Sequence, residues 1–379
     1  MWFDIAIIGA GIAGVSAAAE LAPYGRVLLI ERESHPGFHA TGRSAAILAQ
    51  TYGNEAVRAL TRASDTFLKD PPEGFAELPL LAPRGLVQIA REDQIDGLYA
   101  LFDGLKGSGM LEWLNPDEIA QRVPILRPGY AAGGYENKNA QDLDVHAMVQ
   151  GYLRALRRKG GTILTGTEVT KLTRNGVIWN IEAGGQTFAA ETVINAAGAW
   201  ADHFARMAGA DPIGLMPLRR SAITIRPPKG LNPAGLPMIV DADEEFYLKP
   251  EAGMLLASPA NETPSEPTDA QPDEMEVAVA VDRIMKAFDL DVRRIESKWA
   301  GLRTFAPDRV PVCGYDWQAE GFFWLAGQGG YGIQTAPALS RLTAHLVAGA
   351  PLDPDFVAVG LDPAKLSPTR NMQSIIKTP

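Results

Sequence analysis

The chain has 379 residues, a length that favours two or three domains with an ordinary hydrophobic core. Its 35 basic and 45 acidic residues give a net charge of −10, which argues against electrostatic binding to nucleic acid or to an anionic membrane. The single Cys313 excludes an intrachain disulfide and any site that needs several cysteines. We predict no signal peptide and no transmembrane segment, and we expect a cytoplasmic location, with peripheral attachment to the inner membrane as the alternative.

The first thirty residues predict a strand, a tight turn, a helix and a second strand. Phe3 to Ile8 is a short apolar run, as expected of a strand buried on both faces. The motif GAGIAG at 9–14 follows it and opens an alanine-rich helix from about Ile12 to Leu21. Residues 26–30 form the next strand, which leads to Glu31. This order predicts a dinucleotide site, in which backbone N–H groups bind a pyrophosphate and the acid accepts hydrogen bonds from ribose hydroxyls.

Further along the chain, strand–glycine–helix units alternate with β-hairpin blocks. Helical periodicity is predicted at 54–70 and 140–158, and glycine pairs predict hairpins between residues 162 and 193. Further strands are expected near 193–197, 218–226, 237–241, 245–249, 253–258 and 322–326, and further helices near 275–288 and 334–347. This alternation predicts one dinucleotide-binding domain assembled from separated segments, with a sheet-rich domain inserted between them.

Several strings outside the first motif distinguish an FAD site from an NAD site. They are GFHATGRSAA at 37–46, VINAAGAWA at 193–201 and GQGGYGIQT at 327–335. Together with RRSA, FYLKPEAGMLL, SPAN and WAGLR, they resemble the D-amino acid oxidase superfamily of FAD enzymes. Within it the chain resembles the bacterial D-amino acid dehydrogenases, most closely the catabolic D-arginine type.

The resemblance implies an α/β fold in which a Rossmann-like FAD-binding domain carries an inserted antiparallel β-sheet (α+β) domain for the substrate. Residues 1–83, 143–214 and 304–379 are expected to form the FAD-binding domain. Residues 84–142 and 215–303 are expected to form the substrate-binding domain.

The cofactor implied is FAD held without a covalent bond. Sarcosine-oxidase relatives attach flavin through a cysteine, but no cysteine stands near the matching Arg303 and Thr304. The residues expected to surround FAD are Gly9, Gly11, Ile12, Ala13, Gly14, Glu31, Arg32, Arg43, Ser44, Ala45, Val169, Gly198, Trp200, Gly329, Gly330, Tyr331, Gly332, Ile333 and Gln334.

Two arginines match those that bind the substrate carboxylate in this family, Arg220 and Arg303. A guanidinium group can hold a carboxylate through two hydrogen bonds and so fix which face of Cα meets the flavin. Adjacent residues of a strand point to opposite faces, so only one of Arg219 and Arg220 can face the site. The match to the family selects Arg220.

The remaining catalytic candidates also come from the resemblance. Tyr247 and Tyr52 match substrate-contacting tyrosines, the second on a mobile loop that covers the site. Gln334 and the backbone of Gly330 match positions near the substrate amine. The five histidines lack metal-ligand spacing, so no metal site is predicted.

Two positions of the expected substrate pocket depart from the D-arginine type. Leu86 stands where a glutamate is expected, and Ile47 stands where a histidine is expected. Without a counter-charge, and with Gly330 as the third wall, the pocket should prefer neutral and apolar side chains.

The function implied is FAD-dependent oxidative deamination of D-amino acids. A hydride passes from Cα to flavin N5, and water converts the imino acid into a 2-oxo acid and ammonia. The expected partners are a D-amino acid and an electron acceptor, either a respiratory quinone or oxygen. Two alternatives stay open: oxidation of a secondary amine (glycine, sarcosine or opine type) or a 2-hydroxy acid, and a flavin-binding subunit of a larger dehydrogenase complex.

Overall fold

The structure is a computed structural model that describes residues 1–370, in which two large β-sheets and a small third sheet are covered by helices. The strands are β1 Trp2–Ile8, β2 Val27–Ile30, β3 Ile47–Leu48, β4 Leu81–Pro83, β5 Leu86–Ala90, β6 Leu111–Leu114, β7 Gly133–Asn137, β8 Gln141–Leu143, β9 Thr162–Leu164, β10 Val169–Asn175, β11 Ile178–Ala183, β12 Gln186–Asn195, β13 Met216–Ile225, β14 Met238–Asp241, β15 Tyr247–Glu251, β16 Met254–Ser258, β17 Thr263–Pro264, β18 Ser297–Phe305, β19 Val312–Tyr315 and β20 Phe322–Ala326. The helices are α1 Ile12–Leu21, α2 Glu55–Lys69, α3 Ile95–Leu105, α4 Pro116–Arg122, α5 Val145–Arg158, α6 Ala201–Met207, α7 Glu274–Ala287, α8 Gly332–Ala348 and α9 Pro354–Ala358.

The first sheet has the strand order β10-β11-β12-β1-β2-β9, with β20 beside β12 and β19 beside β20. Strand β1 lies at its centre and runs parallel to both β12 and β2. Ile5 and Ile7 face one layer, which contains α1, α5 and α8, while Ala6 and Ile8 face the other. The continuous apolar run of β1 follows from this double burial, and the predicted strand–turn–helix–strand start of the chain is confirmed.

The second sheet has the order β17-β13-β16-β15-β14-β5-β7-β6, with β18 beside β13. Because successive strand residues point to opposite faces, Leu248 packs on the side of α7 while Tyr247 packs on the other side. The face that carries Tyr247 is the one that lines the cavity described below. The amphipathic strands of this sheet therefore separate a core under α7 from a wall of the site.

The third sheet corrects one predicted element. The helix predicted over 140–158 begins only at Val145, because residues 141–143 form β8 between β3 and β4. Asp144 ends the strand and caps α5 by accepting a hydrogen bond from Ala147 N (2.8 Å). A side-chain cap of this kind favours a helix start at the following residue.

Each large sheet draws its strands from separated parts of the sequence. The first uses residues within 2–30, 162–195 and 312–326, and the second uses residues within 86–137 and 216–305. We keep the division into two domains as a proposal, and residues 371–379 of its last segment lie outside the described part of the chain. Among residues 1–370, no helix is both long and apolar enough to cross a membrane.

Candidate active site

A cavity of about 400 Å³ has walls from both large sheets. Glu31, Val169 and Trp200 line one part of it, and Arg220 and Arg303 line another. Its volume lies in the range usual for small-molecule sites. Of the residues expected around FAD, only Gly14, Tyr331 and Gln334 do not line this cavity.

The turn between β1 and α1 shows why glycine is required twice. Gly9 has φ +97°, and a Cβ there would lie 2.6 Å from the carbonyl oxygen of Ala196. A Cβ on Gly14 would lie 1.8 Å from the carbonyl oxygen of Gly9, so the helix could not pack on the turn. Gly14 therefore acts by permitting close packing rather than by lining the cavity. The first turn of α1 carries no acidic residue and Gly11 provides no side-chain cap, which suits an anion.

Glu31 follows β2 at the same edge of the sheet. Its carboxylate accepts hydrogen bonds from Ala10 N (2.7 Å) and Glu33 N (2.9 Å). A carboxylate has about four acceptor sites, so Glu31 keeps capacity for further donors. Beside it, the guanidinium of Arg32 lies 4.6 Å from the ring centre of Trp200, and the pair forms a flat wall of the kind that an adenine ring stacks on.

Arg43 lines the cavity, and its charged group is bound by other parts of the protein. The guanidinium forms an ion pair with Asp269 and donates to the carbonyl oxygens of Ala270 (3.0 Å) and Ala300 (2.8 Å). Thr268 and Ala270 also line the cavity. Arg43 therefore holds residues 268–270, the strap, against the site.

The glycine-rich turn before α8 presses closely against β18. A Cβ on Gly329 would lie 2.0 Å from the ring of Phe305, and a Cβ on Gly330 would lie 2.8 Å from Arg303 Nη1. Only glycine allows this approach. Gly330 thus places its backbone directly beside the guanidinium of Arg303.

Arg220 and Arg303 lie on the neighbouring strands β13 and β18 and line the cavity together. Arg219 points the other way and forms an ion pair with Glu276 of α7 (2.8 Å), as the alternation of strand residues predicts. Arg220 is 7% exposed. Burial lowers its pKa, and the like charge of Arg303 lowers the pKa further. Guanidinium groups remain protonated at neutral pH, so the pair presents two adjacent positive charges.

Two tyrosines complete this end of the site. Tyr247 is buried and lines the cavity. Tyr52 interacts electrostatically with Arg303, and burial raises the pKa of its hydroxyl, which is therefore protonated at neutral pH. The rings of Tyr52 and Tyr331 meet edge to face with centroids 4.9 Å apart. Tyr52 and Tyr331 therefore support the arginine pair from behind the cavity wall rather than forming the wall.

Gln334 is not brought together with the other catalytic candidates. Its side-chain oxygen accepts from Ala49 N (3.2 Å), and its nitrogen donates to Thr61 Oγ1 (3.0 Å). The side chain is 2% exposed. Because its amide is already used to join α8 to α2 and to the loop before Tyr52, we withdraw Gln334 from the catalytic set.

The other two expected pocket residues, Ile47 and Leu86, do not line the cavity. They are half-buried and pack with Met238 and Val240 against the cluster that contains Tyr247. They form an apolar surface behind this tyrosine.

The model for the DAO family of FAD-dependent oxidoreductases matches residues 4–346. The chain belongs to this family. Its fold matches the crystal structure of glycine oxidase from Geobacillus kaustophilus with a TM-score of 0.85 and 24% identity, over 97% of this chain and 99% of the other. In sequence, the glycine oxidase of Geobacillus kaustophilus (strain HTA426) is 25% identical over 91% of this chain and 93% of its own length. D-amino acid dehydrogenase 3 of Mesorhizobium japonicum is 23% identical over 93% of this chain and 99% of its own length.

These comparisons establish the DAO family but not the narrower D-arginine type, because glycine oxidase is among the most similar relatives. The local structure fits the cofactor of the DAO family. Backbone N–H groups at the start of α1 are suited to the pyrophosphate, Glu31 to the ribose, and the flat pair of Arg32 and Trp200 to the adenine. Gly329, Gly330 and Gly332 of the turn before α8 line the cavity, so their backbone is available to the flavin ring.

Sequence reasoning missed three charged residues near the arginine pair, namely Glu244, Glu262 and Arg309. Glu262 directly follows the SPAN string and forms ion pairs with Arg220 and Arg309. Glu244 interacts electrostatically with Tyr52, Arg220 and Arg303, and its φ of +54° marks a strained turn. The only signal in the sequence was the position of Glu262 beside a family string, because all three lie in loops without periodicity.

Proposed function

We propose that this DAO-family enzyme oxidatively deaminates D-amino acids, with a preference for neutral side chains. The observation that carries the proposal is the adjacent pair of Arg220 and Arg303 in the cavity wall. Two neighbouring guanidinium groups in a buried place repel each other and favour an anion between them. The α-carboxylate of an amino acid fits this requirement, because a planar carboxylate can accept hydrogen bonds from both.

In the proposed mechanism, the protein mainly binds and orients. Arg220 and Arg303 hold the carboxylate, Tyr52 interacts with Arg303 from behind the cavity wall, and Tyr247 covers the substrate from the sheet. FAD, when bound, supplies the hydride acceptor. Substrate orientation of this kind can lower the barrier by several kcal/mol, so no histidine or cysteine nucleophile is required.

The amino group must lose its ammonium proton before the Cα–H bond breaks. The positive charge of the arginine pair favours the neutral amine, because a like charge nearby disfavours protonation. The imino acid product then leaves and is hydrolysed to a 2-oxo acid and ammonia. We propose a quinone or oxygen as the final electron acceptor.

The preference for a side chain on Cα rests on the apolar surface beside Tyr247. Ala45, Ala222 and Trp299 belong to this uncharged apolar cluster and line the cavity, whereas Ile47, Leu86, Met238 and Val240 pack behind them. Glycine would leave this surface unused, whereas a leucine or methionine side chain would gain about 25 cal/mol for each Å² of apolar area that it buries there.

Oxidation of glycine or a secondary amine is the second candidate, because a related glycine oxidase is as similar as any relative described above. Such substrates also carry a carboxylate, so the arginine pair serves both candidates equally. The size and chirality of the group on Cα separate them.

The test is anaerobic reduction of the bound flavin by separate additions of D-leucine, L-leucine, D-alanine, glycine and sarcosine. We expect rapid bleaching by D-leucine and none by L-leucine. Faster bleaching by glycine or sarcosine than by D-leucine would establish the second candidate. Turnover of D-leucine by the isolated chain with an artificial dye would exclude a subunit that works only inside a larger complex.

We also propose that FAD is bound without a covalent link. Cys313 is buried on β19, where its sulfur lies 3.4 Å from Thr343 Oγ1, and burial raises the pKa of its thiol to about 12. It does not line the cavity. Acid denaturation should therefore release all the flavin into the supernatant, and flavin that stays with the precipitate would contradict the proposal.

A further inference from the structure

Glu262 lies between two arginines, one of which, Arg220, lines the cavity of the proposed substrate site. Its Oε1 is 3.3 Å from Arg220 Nη2, and its Oε2 forms an ion pair with Arg309. Exposure rises in the order Arg220 (7%), Glu262 (31%) and Arg309 (43%). The three side chains thus form a row of alternating charge that leads from the buried arginine to solvent.

The backbone fixes this acid in place. Arg220 Nε donates to the carbonyl oxygen of Asn261 (2.7 Å). The side chain of Asn261 accepts from Ser221 N (2.9 Å) and donates to the carbonyl oxygen of Arg219 (2.9 Å). These three hydrogen bonds attach the residue before Glu262 to β13. Glu262 is therefore held relative to Arg220, unlike a freely moving surface acid.

Arg309 is also held. Its guanidinium lies 4.3 Å from the ring centre of Phe305, and its carbonyl oxygen accepts from Asn54 Nδ2 (2.9 Å). Its φ of +59° is unusual for a residue with a side chain. Asn54 is two residues from Tyr52, and Phe305 is the ring under Gly329. Arg309 is thereby tied both to the loop of Tyr52 and to the strand under the glycine-rich turn.

We propose that Glu262 is a specificity-determining residue that restricts the site to substrates with a single carboxylate. Its negative charge neutralises Arg309 and offsets part of the charge of Arg220, so the remaining positive charge of the site belongs to the inner pair of Arg220 and Arg303. A second carboxylate on the substrate side chain finds Arg309 already paired and meets the like charge of Glu262. The inference rests on the proposed function, since it takes the inner arginine pair as the carboxylate site, and it adds a rule against acidic D-amino acids.

The test is Glu262→Gln, which keeps the size and removes the charge. We expect the ratio of kcat/KM for D-glutamate to that for D-leucine to rise about tenfold or more, because one repulsion is removed and Arg309 becomes free. This rise in the ratio should be smaller at high salt, because the charge row ends at the exposed Arg309 and salt screens exposed charges. Adding Arg309→Met to this variant should abolish the gain.

The matched control is Glu276→Gln, which removes the same charge from an ion pair with Arg219 on the opposite face of β13. It should leave the ratio unchanged. Equal losses for both substrates in Glu262→Gln, or an equal rise of the ratio in Glu276→Gln, would overturn the inference, because a merely structural role affects both substrates alike.

A binding measurement separates this inference from the proposed function. Titration of the oxidised holoenzyme with 4-methylvalerate and with glutarate, followed by the flavin absorbance, needs no turnover. We expect the wild type to bind the monocarboxylate and Glu262→Gln to gain affinity for glutarate. Binding of 4-methylvalerate without any gain for glutarate would refute the role of Glu262 alone, whereas a wild type that binds neither would refute the carboxylate site and both proposals.

Discussion

The two ends of the cavity are built in different ways. We propose that one end holds the FAD pyrophosphate and the other end holds the substrate. The proposed pyrophosphate end depends on backbone groups and glycines, and most of its parts lie within the first 31 residues. The substrate end depends on charged and phenolic side chains that come from β13, β15, β18 and the loop before α2. The first end therefore leaves no room for added atoms at Gly9 and Gly14, whereas the second depends mainly on the charge of its side chains. Substitutions at each end should fail in different ways.

The largest effect is expected at the glycine end. Gly14→Ala places a Cβ 1.8 Å from the carbonyl oxygen of Gly9, which forces α1 away from the turn. We expect purified protein with little or no FAD and a clearly lower Tm. Gly97→Ala is the matched control, because a Cβ at this position of α3 meets nothing within 4 Å. Full FAD content in Gly14→Ala would contradict the packing argument.

At the substrate end, Arg303→Met should leave FAD bound but greatly reduce amino-acid oxidation. Removing one partner of a buried charged contact costs about 2–5 kcal/mol, or roughly 30- to 4,000-fold in kcat/KM. Arg219→Gln is the control, because this arginine faces α7 and not the cavity. Near-normal kcat/KM for D-leucine in Arg303→Met would remove this residue from the carboxylate site.

A smaller effect should follow from Leu86→Glu, which places an acid on the apolar surface beside Tyr247. The wild type should prefer D-leucine to D-arginine. The substitution should raise the D-arginine to D-leucine ratio of kcat/KM roughly tenfold, since part of the attraction between close charges survives at a half-exposed position. Leu86→Gln introduces a side chain of the same size as glutamate but without its charge, and it should not raise this ratio. An unaltered ratio in Leu86→Glu would show that this surface does not contact the substrate side chain.

The smallest effect concerns the strap. Asp269→Asn removes the ion-pair partner of Arg43, whose guanidinium holds residues 268–270 along the cavity. The Asp269 side chain is half exposed, so we expect FAD to dissociate only roughly 1.5- to 5-fold faster. The recovery of free flavin fluorescence measures the rate of FAD dissociation. Asp289→Asn serves as the control, because Asp289 forms an exposed ion pair with Arg127. An unchanged rate would show that the strap does not retain the cofactor.

The pyrophosphate end could be predicted from local sequence because its physics is local. Strand β1, the glycines and Glu31 follow from spacing alone, and the structure places them together. The choice of Arg220 over Arg219 needed both strand alternation and the resemblance. The structure agrees with that choice of face, because only Arg220 lines the cavity.

The failures came from tertiary contacts that spacing does not encode. Gln334 lies beside the glycine-rich turn in sequence, but its amide satisfies Ala49 and Thr61 instead. Arg43 lines the cavity, but the carbonyl groups that accept its hydrogen bonds lie more than 200 positions away in the sequence, so these contacts could not be foreseen. The strands between residues 81 and 143 are short and pair with distant partners, which local periodicity does not reveal.

The order of the first sheet has a consequence for synthesis of the chain. β1 emerges first but pairs with β12, and β12 in turn pairs with β20, which ends at Ala326. During translation, the edge of β1 that awaits β12 is open until nearly half of the chain has been made, and the cavity wall is incomplete until the turn before α8 follows. Open apolar edges of this kind promote aggregation of unfinished chains. The cavity is therefore complete only after Ile333 has been made, and a cofactor that binds the whole cavity can stabilise the folded chain only from that point.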